Sequence, residues 1–225
     1  MSDEYLIYGS ELSPYSVKVR SYFRYKGIPH RWIVRSMKEM GEFNKYAKLP
    51  LVPLVVTPGD QGIQDSTPIM EKMEALFPEP AIHPSEPALK FISELLEEFA
   101  DEWVNKPMFH YRWTREIDQD SGALRIALDQ TGGDEKAANL MAAMIKQRMV
   151  PRLSFVGSSP QTQEQIENAY VRLLELLEAH LESRPYVLGA RPSFADLGLW
   201  GQLYELWSDP TPGALMKERA PRVAA

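Results

Sequence analysis

The hydrophobic pattern of the chain changes at a proline-rich segment, residues 78–87. Before this segment, short apolar runs alternate with amphipathic stretches in the order βαβαββα, which is typical of an α/β unit with a mixed sheet. After it there is no strand pattern, and helical patterns cover about 87–118, 134–156, 161–183 and 194–207, with a polar break at about 122–133. We therefore predict an α/β domain over residues 1–79, a linker over 80–87 and an all-α helical-bundle domain over 88–225.

The first predicted helix begins in the stretch 13–20, Ser-Pro-Tyr-Ser-Val-Lys-Val-Arg, directly after a short apolar strand. Ser13 is a natural N-cap, and Pro14 occupies the first helical position, where proline is favoured. A helix N-terminus favours an anion such as a thiolate or a carboxylate, because its backbone N–H groups are unpaired. Ser13 either only caps the helix or also donates its proton to a bound anion, and the two roles are compatible.

Two further segments have recognisable local chemistry. Asp65 and Ser66 stand at the start of another predicted helix, so they are either caps or ligand contacts. The helix that begins at Phe194 is apolar nearly all round and is preceded by a capping-box pattern from Ser193 to Asp196, which predicts a helix in the middle of the bundle. The core is accordingly expected to include three of its aromatic residues, Trp200, Tyr204 and Trp207.

Composition argues against several classes of function. The net charge is −6 and no Lys/Arg cluster stands out, so we expect no nucleic-acid partner. No apolar run approaches the ~20 residues of a membrane span, and the acidic start of the chain shows no signal peptide. The chain contains no cysteine, and its four histidines have no ligand spacing, so we expect a cytoplasmic protein without a metal.

The C-terminal run 221–225 is apolar and has no helix-stop signal. We therefore expect the natural chain to continue past Ala225. A mass measurement on protein expressed from the intact gene tests this, and a mass that ends at Ala225 would reject it.

Four features taken together resemble the cytosolic glutathione transferases. The stretch 13–20 is similar to the start of the serine-type classes, tau and zeta most of all, and Leu51-Val52-Pro53 is similar to a Val-Pro with a cis proline. Asp65-Ser66 resembles the pair that holds the γ-glutamyl end of glutathione, and 193–196 resembles the capping box of the central helix. The resemblance implies a thioredoxin-like domain joined to a helical domain, a homodimer, and glutathione as co-substrate.

The same resemblance assigns roles to individual residues. Ser13 would donate a hydrogen bond to the glutathione thiolate, and Val52, presented by Pro53, would pair with the peptide backbone. Asp65 would bind the α-amino group and Ser66 the carboxylate of the γ-glutamyl end. Leu51 stands where many relatives have Lys or Gln, so the glycine carboxylate needs another cation, for which the candidates are Lys38, Lys48 and Arg35.

Two other departures from the family pattern restrict the catalytic residues and reactions that we expect. Tyr8 lies one residue before the tyrosine of the tyrosine-type classes, so its side chain faces the opposite way and we expect it in the core. Ser13 stands where the omega-like classes have cysteine, which argues against thiol–disulfide chemistry.

The electrophile side of the cleft is harder to assign. Tyr15 is one candidate, and the run 109–113, Phe-His-Tyr-Arg-Trp, contains three more. In that run Tyr111 or Trp113 would face the cleft and Arg112 would polarise a leaving group, although interdomain packing is the favoured interpretation.

The sequence therefore favours a transferase that adds the glutathione thiolate to small hydrophobic electrophiles. A glutathione-dependent isomerase or dehalogenase is an alternative, because the zeta-like start of the first helix is compatible with either. A non-catalytic binding or scaffold protein of the same fold is a third possibility, for which Leu51 argues.

Overall fold

The computed structural model describes residues 4–225, and the acidic residues 1–3 lie outside the described part of the chain. The N-terminal part alternates strands and helices. Its elements are β1 (Tyr5–Gly9), α1 (Pro14–Lys26), β2 (His30–Val34), a 3₁₀ turn (Met37–Glu39), α2 (Met40–Tyr46), β3 (Leu54–Val56), β4 (Gly62–Gln64) and α3 (Ser66–Leu76). This is the predicted order βαβαββα.

The sheet has the strand order β2-β1-β3-β4. β1 runs parallel to β2 and antiparallel to β3, and β3 and β4 form an antiparallel hairpin. The two central strands are buried on both faces, since Ile7, Tyr8, Leu54 and Val55 are almost fully enclosed. The prediction that Tyr8 is a core residue is therefore confirmed.

The C-terminal part is helical. Its elements are α4 (Pro87–Phe99), a π-helical turn (Ala100–Val104), α5 (Asn105–Thr114), α6 (Glu116–Thr131), α7 (Glu135–Met149), a 3₁₀ segment (Val150–Val156), α8 (Gln163–His180), α9 (Phe194–Ser208), α10 (Pro210–Arg219) and α11 (Pro221–Ala224). A thioredoxin-like domain followed by a helical domain confirms the predicted fold class. α3 ends at Leu76 and α4 begins at Pro87, while the exact domain limits at 79 and 88 stay a prediction.

The break predicted at 122–133 is wrong for most of its length, because α6 is helical through Thr131. Gly122 is helical and lies where a Cβ would come within 3.0 Å of the Arg112 side chain, so glycine there permits close packing of α6 on α5. Ala123 and Ala127 are fully buried on the same side. Only Gly132 and Gly133 interrupt the helix, and both have a positive φ, the conformation that favours glycine.

Helix α9 packs against both domains. A Cβ at Gly201 would lie 2.6 Å from the carbonyl oxygen of Pro14, and a Cβ at Gly198 would lie 3.0 Å from the Cα of Glu97. These two glycines therefore allow the start of α1 and the end of α4 to approach α9 closely. The predicted capping box is present, with the Asp196 carboxylate accepting from the Ser193 N–H at 2.8 Å.

One face of α9 is open to solvent. Trp200 and Trp207 are 46% and 43% exposed, and Tyr204 is half-buried between them, so the prediction that these aromatic residues belong to the core is wrong. The indole N–H of Trp200 donates to Ser21 Oγ at 2.8 Å, and the rings of Tyr204 and Trp207 stack. An aromatic side chain with a polar edge tolerates such a half-exposed position.

Candidate functional site

The loop before α1 is held by the helical domain. Arg112 donates to the Leu12 carbonyl at 3.1 Å, and the Ser10 hydroxyl donates to Asp129 at 2.7 Å. Ser13 follows as the N-cap of α1, and its hydroxyl oxygen accepts from the Ser16 N–H at 3.2 Å. Capping uses only the oxygen, so the Ser13 hydroxyl proton remains available for donation to a bound group.

A cleft of about 550 Å³ lies between the two domains beside this helix start. Four of the predicted glutathione contacts line it together: Val52, Pro53, Asp65 and Ser66. The Val52–Pro53 peptide bond is cis, as the family resemblance implied. Tyr15 also lines the cleft, whereas Ser13 is half-buried and does not belong to its wall.

Asp65 has an unusual backbone conformation for a residue other than glycine, with φ 78° and ψ 133°. Its side chain makes no capping hydrogen bond to α3, although its position is that of the N-cap. A non-glycine residue in this region costs on the order of 1–3 kcal/mol, and such residues concentrate at functional sites. Asp65 lines the cleft, and its carboxylate does not cap the helix α3 that it precedes.

Beneath the cleft lies a buried lysine that sequence reasoning missed. Lys18 Nζ donates to Asp101 at 2.8 Å, forms an ion pair with Glu97, and lies 3.4 Å from Ser66 Oγ. Because an ammonium group has only donors, the Ser66 oxygen accepts from Lys18, and the Ser66 proton is free to donate toward the cleft. Burial raises the pKa of the Asp101 carboxyl to about 6, against the opposing effect of the Lys18 ammonium.

The sequence did contain a signal for this network. Lys18 follows Tyr15 by three residues and precedes Tyr22 by four, so it lies on the apolar side of its helix. Glu97 and Asp101 are likewise four residues apart and share one side of α4 and the turn after it. A lysine on the apolar side of one helix, together with two carboxylates on one side of another helix, indicates a buried ion pair.

The three cations proposed for the glycine carboxylate do not line the cleft. Lys38 and Lys48 are exposed outside it. The guanidinium of Arg35 stacks over the Phe43 ring at 4.7 Å, and burial, followed by the nearby Arg148, lowers its pKa. The cleft wall contains the apolar side chains of Leu49 and Leu51 in place of a cation.

The aromatic run of α5 is internal. Tyr111, Arg112 and Trp113 are nearly fully buried, and none of them lines the cleft. Tyr111 packs edge-on against Tyr170, and Arg112 pairs with Glu205 and Asp209 at 2.6 and 2.7 Å. The favoured interpretation, packing, therefore agrees with the structure, and the alternative placement of these three residues against an electrophile is wrong.

Two negative findings apply to residues 4–225 only. No helix in this range is both long and apolar enough to cross a membrane. No group of three or more His, Asp or Glu side chains in the same range is arranged to hold a metal ion.

Comparison with known families agrees with this architecture. The family model described as glutathione S-transferase, N-terminal domain, matches residues 12–76, and the C-terminal domain model of the same family matches residues 160–225. The chain belongs to the glutathione S-transferase family. A comparison with curated protein sequences gives no match.

Solved structures with the same fold include proteins from bacteria, plants and a fungus. The β-etherase LigF from Sphingobium sp. strain SYK-6 is 19% identical, with a TM-score of 0.69 over 98% of this chain and 92% of that one. A Methylobacterium radiotolerans glutathione S-transferase in complex with glutathione sulfonate is 17% identical, with a TM-score of 0.60 over 98% and 87%. The Tau class enzyme from mango is 16% identical, with a TM-score of 0.60 over 98% and 84%.

Proposed function

We propose that this protein is a transferase that conjugates the thiolate of glutathione to small electrophiles. The observation that carries the proposal is the single cleft onto which Val52, Asp65 and Ser66 all open, beside the start of α1. In this scheme the Val52 backbone pairs with the peptide as a neighbouring strand would. Asp65 binds the α-amino group, and Ser66, at the start of α3, donates to the adjacent carboxylate.

Ionisation of the thiol is the chemical task of the site. A cysteine-type thiol has a pKa near ~8.5, and lowering it by ~2 units requires ~2.7 kcal/mol in favour of the anion. A helix N-terminus contributes ~0.3–2 kcal/mol, and a hydrogen bond to a charged group contributes ~1.5–3 kcal/mol. The helix α1 and the Ser13 hydroxyl together reach this value, and neither reaches it comfortably alone.

The test is an ultraviolet titration of bound glutathione thiol in the wild type, Ser13→Ala and Ser13→Thr. We expect Ser13→Ala to raise the thiol pKa by about 1 unit or more, because the donor to the anion is lost. Ser13→Thr keeps a hydroxyl at the N-cap and should largely restore the wild-type value. An identical pKa in all three proteins would limit Ser13 to capping.

Turnover of a chloro-dinitro aromatic substrate distinguishes conjugation from the isomerase alternative. In the transferase reaction the sulfur forms a bond to the ring carbon and chloride leaves, whereas an isomerase regenerates free glutathione. Conjugation makes an electrophile less reactive and more water-soluble, so detoxification in the cytoplasm is the role that we propose.

A second candidate is a glutathione-binding protein without catalytic activity. It is favoured by the surroundings of the segment 48–51, where the backbone N–H groups of Lys48 and Leu49 already donate to the Gln64 side chain. These two N–H groups are therefore unavailable to a glycine carboxylate, and the Lys48 side chain lies outside the cleft. Retention on immobilised glutathione without any turnover would favour this candidate.

We also propose a homodimer. The outer face of α4 and the following turn presents large apolar side chains at intervals of four residues: Phe91, Leu95, Phe99 and Trp103. A contiguous exposed apolar row of this kind is typical of an interface. Light scattering should give a dimer mass for the wild type and a smaller one for Leu95→Asp, and a monomeric wild type would reject the dimer.

A further inference from the structure

The turn that precedes Ser13 is held by side chains rather than by regular secondary structure. Residues 10–13 connect β1 to α1, and the Ser13 N–H donates to the Ser10 carbonyl at 3.2 Å. The Leu12 N–H donates to Ser10 Oγ at 3.2 Å, and the Leu12 carbonyl accepts from Arg112 at 3.1 Å. Both backbone groups of the residue before Ser13 are therefore fixed, so the direction of the Ser13 side chain depends on these bonds.

Ser10 is the central residue of this turn, because its hydroxyl both accepts and donates. Its oxygen accepts from the Leu12 N–H, and its proton is donated to Asp129 Oδ2 at 2.7 Å. A hydroxyl has one proton and two lone pairs, so donation to the carboxylate leaves the lone pairs for the Leu12 N–H. A hydrogen bond to an ionised acceptor is also stronger than one between neutral groups. Asp129 therefore fixes the rotation of the Ser10 hydroxyl and, through it, the turn before Ser13.

Asp129 stands at a position that disfavours a carboxylate. It lies in the last turn of α6, near the negative end of the helix dipole, and that turn contains no basic residue. Burial raises the pKa of the Asp129 carboxyl, and the Ser10 hydroxyl is the main opposing influence. The neighbouring cation Arg125 is bound to Asp209. Local electrostatics therefore gives no reason for an aspartate here, whereas the bond to Ser10 does, and residues that break a local rule are expected at functional sites.

We propose that Asp129 is a positioning residue of the transferase reaction, which acts through Ser10 on the direction of the Ser13 hydroxyl. The inference rests on the proposed transferase function and deepens it. Asp129 lies outside the cleft, so its effect passes through the turn and not through contact with glutathione. With the turn in place the Ser13 proton is directed at the thiolate, and the helical domain thereby helps to ionise a sulfur that the N-terminal domain binds.

A positioning effect and a direct charge effect of Asp129 predict opposite signs. Replacing the carboxylate by a neutral group removes a negative charge, which by itself lowers the pKa of a nearby thiol. Loss of positioning instead raises the thiol pKa, because the hydrogen bond from Ser13 to the thiolate weakens. Asp129→Asn separates the two effects, since it removes the charge but keeps an oxygen that accepts from Ser10.

The test is an ultraviolet titration of bound glutathione thiol in the wild type, Asp129→Ala, Asp129→Asn and Ser10→Ala. We expect the thiol pKa to rise by about 0.5 unit in both alanine variants, which is a roughly threefold loss in the ionisation constant. In Asp129→Asn it should stay at or slightly below the wild-type value. At a pH below the thiol pKa, kcat with a chloro-dinitro aromatic substrate should fall about threefold in the alanine variants, with little change in KM for glutathione.

Two further proteins make the result specific. Asp120→Ala is the matched control, because Asp120 lies on the same helix with a side chain that is 62% exposed, and it should keep the wild-type thiol pKa. In the Ser13→Ala background, Asp129→Ala should no longer raise the thiol pKa, because the hydroxyl that it positions is absent. An equal rise in both backgrounds, or a lowered pKa in Asp129→Ala alone, would overturn the inference.

The outcomes also separate the inference from the proposed function. A wild type that conjugates glutathione, with an Asp129→Ala variant that is less stable to urea but has an unchanged thiol pKa, would overturn only the inference. A wild type that neither binds glutathione nor lowers its thiol pKa would overturn the proposed function and the inference together. If Asp129→Ala does not fold, Ser10→Ala decides the question, because it removes the other partner of the same bond from a half-buried position.

Discussion

Two clusters of buried charge lie close to the site, and they are built differently. The cleft cluster contains one cation and two carboxylates: Lys18, Glu97 and Asp101. The helical cluster contains two cations and two carboxylates: Arg112, Arg125, Glu205 and Asp209. The first connects α1 to α4 across the domain boundary, and the second connects α5, α6 and α9 and holds the Leu12 carbonyl.

The difference in charge balance has a physical consequence. The cleft cluster has one excess negative charge, and its Asp101 opens on the cleft, where a proton or water can reach it. The helical cluster contains equal numbers of basic and acidic side chains and is enclosed, with Glu205 and Asp209 almost fully buried. Burial raises the pKa of the Glu205 carboxyl to about 7, against the opposing effect of the Arg112 charge. We infer that the cleft cluster can adapt to a change of charge, whereas the helical cluster serves stability and tolerates little change.

The largest predicted effect is on the helical cluster. Arg112→Met leaves Glu205 and Asp209 buried without their shared cation, so we expect the free energy of unfolding to fall by about 3–5 kcal/mol. Urea unfolding at pH 7 measures this loss. Arg172→Met is the matched control, since the Arg172 side chain is 68% exposed, and its effect should stay within about 0.5 kcal/mol. Similar stabilities of the two variants would contradict the assignment.

The corresponding change in the cleft cluster should be smaller. Lys18→Met removes the only cation of its cluster, but the Asp101 carboxyl can take up a proton and water from the cleft. We therefore expect a loss of about 2–3 kcal/mol at pH 7, below that of Arg112→Met. The loss should also be smaller at pH 5 than at pH 8, because protonation relieves the uncompensated charge. A loss that does not depend on pH would show that Asp101 does not adapt.

Local sequence features predicted much of the fold and part of the site. The order of strands and helices followed from hydrophobic periodicity, and the N-cap at Ser13 followed from the Ser-Pro pair, since both depend on neighbours in sequence. The common cleft of Val52, Asp65 and Ser66 was reached only through the family resemblance, because their proximity depends on tertiary structure. The sequence also did not show that the Asp65 side chain leaves α3 uncapped, because the backbone conformation of Asp65 cannot be predicted from its residue type.

The errors share one cause, which is packing between segments distant in sequence. Gly122 resembles a helix breaker until Arg112 is placed against it. The Tyr111 and Trp113 rings resemble a binding surface until α8 covers the first and α6 covers the second. Trp200 has the residue type of a core position, but it lies on the face of α9 that is open to solvent. Lys18 was missed for the same reason, since its partners Glu97 and Asp101 lie some 80 residues away.

The raised pKa of the buried Asp101 carboxyl predicts a specific pH dependence, because burial disfavours its charged form. The folded-state pKa of Asp101, about 6, lies above its ordinary value of 3.8, so folding favours the protonated form. The resulting stability is fully present below about pH 4 and is lost as the pH rises through 6. The unfolding free energy of the wild type minus that of Asp101→Asn should therefore fall by about 2 kcal/mol from pH 4 to pH 7. A constant difference would show that Asp101 titrates normally.

The smallest predicted effect concerns Arg125, the more exposed of the two cations in the helical cluster. Arg125 is 30% exposed, and its partner Asp209 keeps the bond from Arg112 at 2.7 Å when Arg125 is replaced. We expect Arg125→Gln to cost about 1 kcal/mol by urea unfolding, because solvent screens this pair and no buried carboxylate loses every partner. In the Arg112→Met background, however, Arg125 is the last cation on Asp209, so the same substitution should cost more there. If Arg125→Gln lowered the free energy of unfolding equally in the wild type and in Arg112→Met, the two arginines would act independently. Charge balance would then not distinguish the helical cluster from the cleft cluster.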